Sequence, residues 1–146
     1  VICSGTSPSN GDHWAPIWWE GGLTRSITDE FSGNDGVHIN RWNGAGCSLT
    51  ELMKTGSGTR ITQTIADILG DWREELVIAL PSEVRVYTTT IPASNRLYTL
   101  MHNPLYRLNV GQSAQRNFGT SLPDYYLGTG MSTPPAPDIK YVGPPH

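Results

Sequence analysis

The chain has 146 residues, a formal charge of -3 at neutral pH and two cysteines. That length suits one domain with its own core, and so small a negative charge gives no footprint for a nucleic-acid partner. No apolar run approaches the roughly 18 residues of a membrane span, and no stretch reads as a basic-plus-apolar leader.

Gly 16 and Pro 11 make up about 18% of the residues, against about 12% in an average domain. Charged residues are 16%, where about 25% is usual. The composition is that of a chain rich in turns and therefore in strands. Residues 1–12 are Ser, Gly, Pro, Asn and Asp punctuation without periodicity, a loop whose start at Val1 reads as a processing point or a cut. Cys3 and Cys47 are expected to pair as a disulfide in an oxidising, extracellular compartment, with two separate buried thiols as the alternative.

From 13 to 54 four short apolar segments follow one another: Trp14–Trp19, Leu23–Thr28, Val37–Trp42 and Cys47–Met53. Glu20-Gly21-Gly22, residues 32–36 and Asn43-Gly44-Ala45-Gly46 separate them as hairpin-type connections. This predicts a four-stranded antiparallel meander. Asp29–Phe31 and Thr50–Lys54 offer at most single helical turns, and no helix with a clear apolar stripe is expected anywhere.

From 55 to 102 the pattern repeats, with strands expected over Arg60–Leu69, Glu75–Leu80, Val84–Thr89 and Arg96–Met101. Two tandem meanders predict an all-β fold of antiparallel four-stranded blades, as in a β-propeller. Two blades cannot close a ring, so further blades must come from the same precursor or from other chains. Residues 103–146 read as a long loop with a closing strand at Ile139–Val142.

Between the first two strands of the second meander lies Asp67-Ile68-Leu69-Gly70-Asp71-Trp72-Arg73-Glu74-Glu75. Carboxylates at relative positions one, five and nine, with Gly70 freeing the turn, suit a hard cation such as Ca²⁺ at Asp67, Asp71 and Glu75. A charged turn whose Arg73 pairs with its neighbours is the alternative. Glu20, Asp29 and Asp35 form a weaker second acidic group, although the Asn34-Asp35-Gly36 turn explains Asp35 without an ion. Trp14, Trp18, Trp19 and Trp42 include possible sugar-stacking faces, with interblade core the stronger expectation.

Residues 66–75, Val86-Tyr87-Thr88-Thr89-Thr90, residues 96–108 and Tyr126-Leu127-Gly128-Thr129-Gly130-Met131 resemble the C-terminal part of rhamnogalacturonan lyases of polysaccharide lyase family 11, as does Trp18–Arg25. The resemblance implies the last blades of an eight-bladed, calcium-binding propeller, secreted and acting on pectic rhamnogalacturonan by β-elimination. That reaction needs a base for the C5 proton, a cation or cationic side chain on the uronate, and a proton route to the leaving oxygen. A family loop similar to Asn-Gly-Thr-Lys matches Ser57-Gly58-Thr59-Arg60, which implies substrate contacts at Gly58, Thr59 and Arg60 and a catalytic charge at Arg60. Arginine keeps that charge but cannot serve as a neutral base.

A second family loop, similar to Gln-Asn-Val-x-Tyr-Asn-Gln-Pro, matches residues 112–120, where Asn117 supplies a substrate contact and no Tyr occupies the matching place. Tyr106, Tyr125 or Tyr126 would have to substitute, with Tyr126 the chosen catalytic candidate. Two further function classes follow from this departure and from the shortness of the chain: a carbohydrate-binding module without elimination chemistry, and an extracellular assembly protein that uses exposed blade edges.

Overall fold

The short apolar segments between Gly-rich turns have the length and composition of strands, and they form them. The computed structural model describes residues 15–30, 36–44, 46–58, 62–116, 120–140 and 143. Strands β1 (Ala15–Ile17), β2 (Ser26–Glu30), β3 (Val37–Asn43) and β4 (Ser48–Lys54) make one sheet in the order β1-β2-β3-β4. All its neighbours are antiparallel, with an irregularity in the β3–β4 register between Ile39 and Asn40. Asp29 and residues 50–54 are strand, because cross-strand pairing outweighs the weak local turn signals there. Phe31 lies outside the described residues, as do Cys3 of the expected disulfide and Trp14. Among the described residues there is no free thiol.

A second antiparallel sheet holds β5 (Thr62–Ala66), β6 (Glu75–Ala79) and β7 (Val84–Tyr87) in that order. It has three strands, not the four expected. Residues 96–99 run without regular structure into a 3₁₀ turn at Leu100–His102. The reason is competition for hydrogen bonds. The Thr99 hydroxyl and the Leu100 N–H both donate to the Asp67 carboxylate, each at 2.7 Å, and Leu100 is fully buried.

A helix, α1 (Pro104–Arg116), replaces the loop expected after residue 103. Its apolar stripe is diluted by Asn109, Gly111, Gln112 and Ser113, which hid it from periodicity. Its start is well marked. Asn103 caps it through Oδ1, which accepts from the Tyr106 N–H at 3.0 Å, and Pro104 takes the first helical position, where no N–H is needed. The helix packs on β5 and on the 3₁₀ turn. Ile139 and Lys140 are not strand, so the expected closing strand is not formed there; Tyr141 and Val142 lie outside the described residues.

Two apolar clusters organise these elements. The first joins the two sheets through Ile17, Trp19, Val37, Ile39, Ile65, Leu76 and Ile78, each fully buried aliphatic side chain contributing about 1.5–3 kcal/mol. The second contains Trp18, Trp72, Leu100 and Tyr106, flanked by Leu23, Leu97, Tyr125 and Leu127. Adjacent residues leave an extended strand on opposite faces, so Trp18 and Trp19 enter different clusters and both are buried.

Candidate functional site

The loop from Asp67 to Glu75 starts where β5 ends and finishes where β6 begins, so its acidic side chains are fixed by two sheet ends. Asp67 is fully buried. Its Oδ1 accepts from the Gly70 N–H at 2.8 Å, and Oδ2 accepts from Trp72 N–H at 3.2 Å in addition to Thr99 and Leu100. Gly70 turns the chain at φ +82°, and Trp72 follows at φ +71°. A bulky residue is rare in that region; here the Asp67 bond to its N–H, the bond from its indole Nε1 to the Asn95 carbonyl at 3.0 Å and full burial of its ring hold it there.

Asp71 is half-exposed and takes the other role expected of this loop, an ion pair with the buried Arg73. Glu75 Oε2 accepts from the N–H groups of Ile68 at 2.9 Å and Leu69 at 3.1 Å, and Oε1 from the Thr88 hydroxyl at 3.2 Å. Asp67, Asp71 and Glu75 are thus committed to protein donors. Among the described residues no three His, Cys, Asp or Glu side chains gather as a metal set. As arranged, these three do not fit a shared calcium site, and the loop closes on its own hydrogen bonds. Glu20 pairs with Arg41 and accepts from Ser26, Asp29 is buried in β2, and Asp35 is outside the described residues.

The residue that sequence reasoning passed over is Glu74. Its side chain is buried and reaches across to the first sheet, where Oε2 accepts from the Trp18 N–H at 2.9 Å while the Glu74 N–H donates to the Trp18 carbonyl at 2.8 Å. Oε1 accepts from the Tyr106 hydroxyl at 2.7 Å, and that hydroxyl in turn accepts from the Asp67 N–H at 3.0 Å. Burial pushes the Glu74 carboxyl up, opposed by the nearby Arg25 charge and by these donors. Burial also raises Asp67 and Glu75 against the pull of their donors. Burial and Glu74 drive Tyr106 far above its ordinary value, and its hydroxyl is held between the Glu74 carboxylate and the Asp67 N–H. The available signal was the offset between Glu74 and Glu75. Neighbours at a strand entrance face opposite ways, and here both sides are covered, so both carboxylates are buried.

Tyr125 and Tyr126 divide as alternation requires: Tyr125 packs beside the second cluster, while Tyr126 is 68% exposed and donates to the Thr129 carbonyl at 3.1 Å. Gly58 sits in an exposed turn. Thr59, Arg60 and Asn117 lie outside the described residues. Trp42 is 40% exposed, whereas Trp18 and Trp19 serve as core. Two exposed tyrosines stand beside concavities among the described residues: Tyr126, on the rim of a cleft that also contains Trp18 and Arg25, and Tyr98, in a second cleft with His102 and Arg107.

The description "Rhamnogalacturonan lyase family 11, C-terminal domain" belongs to a family model that matches residues 4–137. The rhamnogalacturonan endolyase YesW of Bacillus subtilis (strain 168) is 41% identical over 134 residues, 84% of this chain and 20% of its own length. The rhamnogalacturonan exolyase YesX of the same organism is 37% identical over 140 residues, 87% of this chain and 22% of its own. The crystal structure of YesX superposes with a TM-score of 0.74 at 29% identity over 86% of this chain and 22% of that one. A rhamnogalacturonan lyase from Bacillus licheniformis gives 0.73 at 33% identity, over 94% and 24%. The chain spans about a fifth of the length of these curated relatives.

Proposed function

This chain belongs to rhamnogalacturonan lyase family 11, as its C-terminal domain, and we propose that it completes a secreted lyase cleaving the rhamnose–galacturonate backbone of pectin by β-elimination. The observation that carries the reading is the family match across nearly the whole chain, together with relatives of both endolyase and exolyase name. In this reading Arg60 neutralises the substrate carboxylate, so that the C5 proton becomes acidic. The proton passes to a base supplied by the rest of the longer protein, while the C4–O bond breaks and the C4–C5 double bond forms. Gly58, Thr59 and Asn117 hold the sugar, and Tyr126 supplies the proton route once its bond to Thr129 is released.

The two sheets serve as blades of a propeller completed by the rest of a longer protein. Supporting this, edge strand β7 presents Val84 and Val86 at 65% and 48% exposure, and Ile68 and Leu69 of the acidic loop are also exposed. Apolar side chains at an unpaired edge suit a neighbouring blade. The calcium that the family implies is proposed for the longer protein outside the loop of Asp67, Asp71 and Glu75, the Cys3–Cys47 disulfide is proposed from the compartment, and no reaction step is routed through the ion.

The test is formation of the unsaturated uronate product from rhamnogalacturonan, followed by ultraviolet absorbance with and without a chelator, on this chain and on the intact gene product. Absorbance should rise with the intact protein; no rise in either form removes the enzyme reading. The second reading, a sugar-binding domain without elimination, is favoured by the missing Tyr in residues 112–120. It predicts saccharide binding with no product.

A further inference from the structure

The cleft beside Tyr126 has a volume of about 540 Å³, within the usual range for a small-molecule site. One wall is the loop after β1, with Trp18, Leu23 and Arg25; the other is the segment 122–129, with Tyr125 and Tyr126. Arg25 is the single charged side chain among its lining residues. The guanidinium lies over the Trp18 ring at 4.8 Å, and its Nη2 donates to the Ser121 carbonyl at 3.1 Å. The remaining N–H groups of the Arg25 fork make no hydrogen bond to the described residues.

Two further polar atoms here are left over. The indole Nε1 of Trp18 and the hydroxyl of Ser121 are buried with no hydrogen-bond partner among the described residues, and Trp18 and Ser121 are each only 3% exposed. A buried polar group without a partner costs about 1–3 kcal/mol, a cost that a ligand able to hydrogen-bond there would offset. Glu74 acts on Arg25 through its charge, but its two oxygens lie on the Trp18 N–H and the Tyr106 hydroxyl and neither is hydrogen-bonded to the Arg25 fork.

We propose that this cleft is a second saccharide site that binds a uronate, with the Arg25 fork on the carboxylate, Trp18 Nε1 as an added donor and Tyr126 against the sugar's C–H face. A planar carboxylate matches a fixed guanidinium fork bidentately. The largely apolar walls exclude a small free anion but suit a pyranose ring. The choice of uronate among carboxylated sugars rests on the pectin reading above. Gly58 does not line the cleft whereas Tyr126 does, so a uronate held here lies next to the residue given the proton route above.

The experiment is a heteronuclear NMR titration of the full chain with D-galacturonate, with D-galactose and inorganic phosphate as controls, read at the tryptophan indole N–H resonances. The Trp18 indole signal should move saturably with galacturonate, and at least about tenfold more ligand should be needed for galactose, which loses the charge-assisted pair, and for phosphate, which keeps a charge but has no ring to set against the apolar walls. Arg25→Gln should weaken galacturonate binding by about tenfold or more, and Arg25→Lys should recover part of it, since charge returns without the fork. Because Arg25 also packs on Trp18, Tyr126→Ala provides a variant on an exposed side chain, and it should weaken galacturonate and galactose binding together.

A Trp18 signal that stays fixed, equal response to galactose, or a response to phosphate as strong as to galacturonate overturns the proposal. Saturable galacturonate binding without product formation leaves this site standing and removes the lyase reading. Product formation with a silent Trp18 does the reverse.

Discussion

The two apolar clusters are built on different principles. The first is a face-to-face sheet core of Ile, Val, Leu and one Trp, supplied almost entirely by regular strands. The second is ringed by buried charge and hydroxyl: Asp67, Glu74, Tyr106 and, at its edge, Arg25. Regular strands satisfy their own backbone groups, so their core needs only shape. The second core packs irregular chain, whose loose N–H groups must be capped by side chains, and carboxylates do that capping. The difference locates specificity: the sheet core sets how much stability there is, and the polar core sets which loops are held where.

The comparison breaks most visibly at Glu74. Glu74→Ala leaves Trp18 N–H, the Tyr106 hydroxyl and the Arg25 charge without their partner, and should cost about 3–5 kcal/mol in denaturant unfolding. In the sheet core Ile78→Val should cost only about 0.5–1.5 kcal/mol, because a deleted methylene there leaves a small cavity and no orphaned polar group. Equal losses at the two positions would erase the distinction. Tyr106→Phe removes one hydroxyl that both donates to Glu74 and accepts from Asp67; about 1–3 kcal/mol is expected, and measuring it in a Glu74→Gln background should show strong non-additivity.

Acid sharpens the contrast further. Burial raises Asp67, Glu74 and Glu75 in the folded state, so the native protein keeps protons that the unfolded chain releases above about pH 4. Stability from these groups is therefore greatest in mild acid and declines as pH climbs through their raised values. Glu74→Gln should flatten that slope, whereas Ile78→Val should shift the whole curve without changing its shape. The smallest effect concerns calcium. With Asp67, Asp71 and Glu75 committed to protein donors, calcium added to chelated protein should move the melting midpoint little. A rise of several degrees that Asp71→Asn abolishes would restore an ion to this loop.

The first sheet was legible because each apolar segment is short and each connection carries Gly or Asn; the strand ends shifted by a residue or more, but the meander is there. The stretch 96–101 misled for a physical reason. Leu97, Leu100 and Met101 look strand-like in composition, yet all three turn to the second cluster, and Asp67 captures the backbone that a fourth strand would have paired. The helix was hidden by its polar interior, although Asn103-Pro104 marked its start. The acidic loop was legible as a built feature but not in its purpose, since spacing shows which carboxylates are near and not which donors they face. Arg25 and Glu74 escaped notice because buried charge leaves no periodic trace.

The adjacent tryptophans give one more consequence, for the order in which the chain assembles. Trp18 and Glu74 exchange a pair of hydrogen bonds across a sequence separation of 56 residues. Closing so distant a loop requires the backbone between its ends to be largely in place first, and topologies dominated by such contacts fold slowly. Since Trp19 is anchored among the sheets, the hairpin of β1 and β2 can settle before that exchange is made, and the acidic loop closes over it afterwards. Kinetic φ-values near zero at Glu74, beside larger ones at Ile39, are the expected signature; the loop that fixes where irregular chain is held is the last part of the molecule to set.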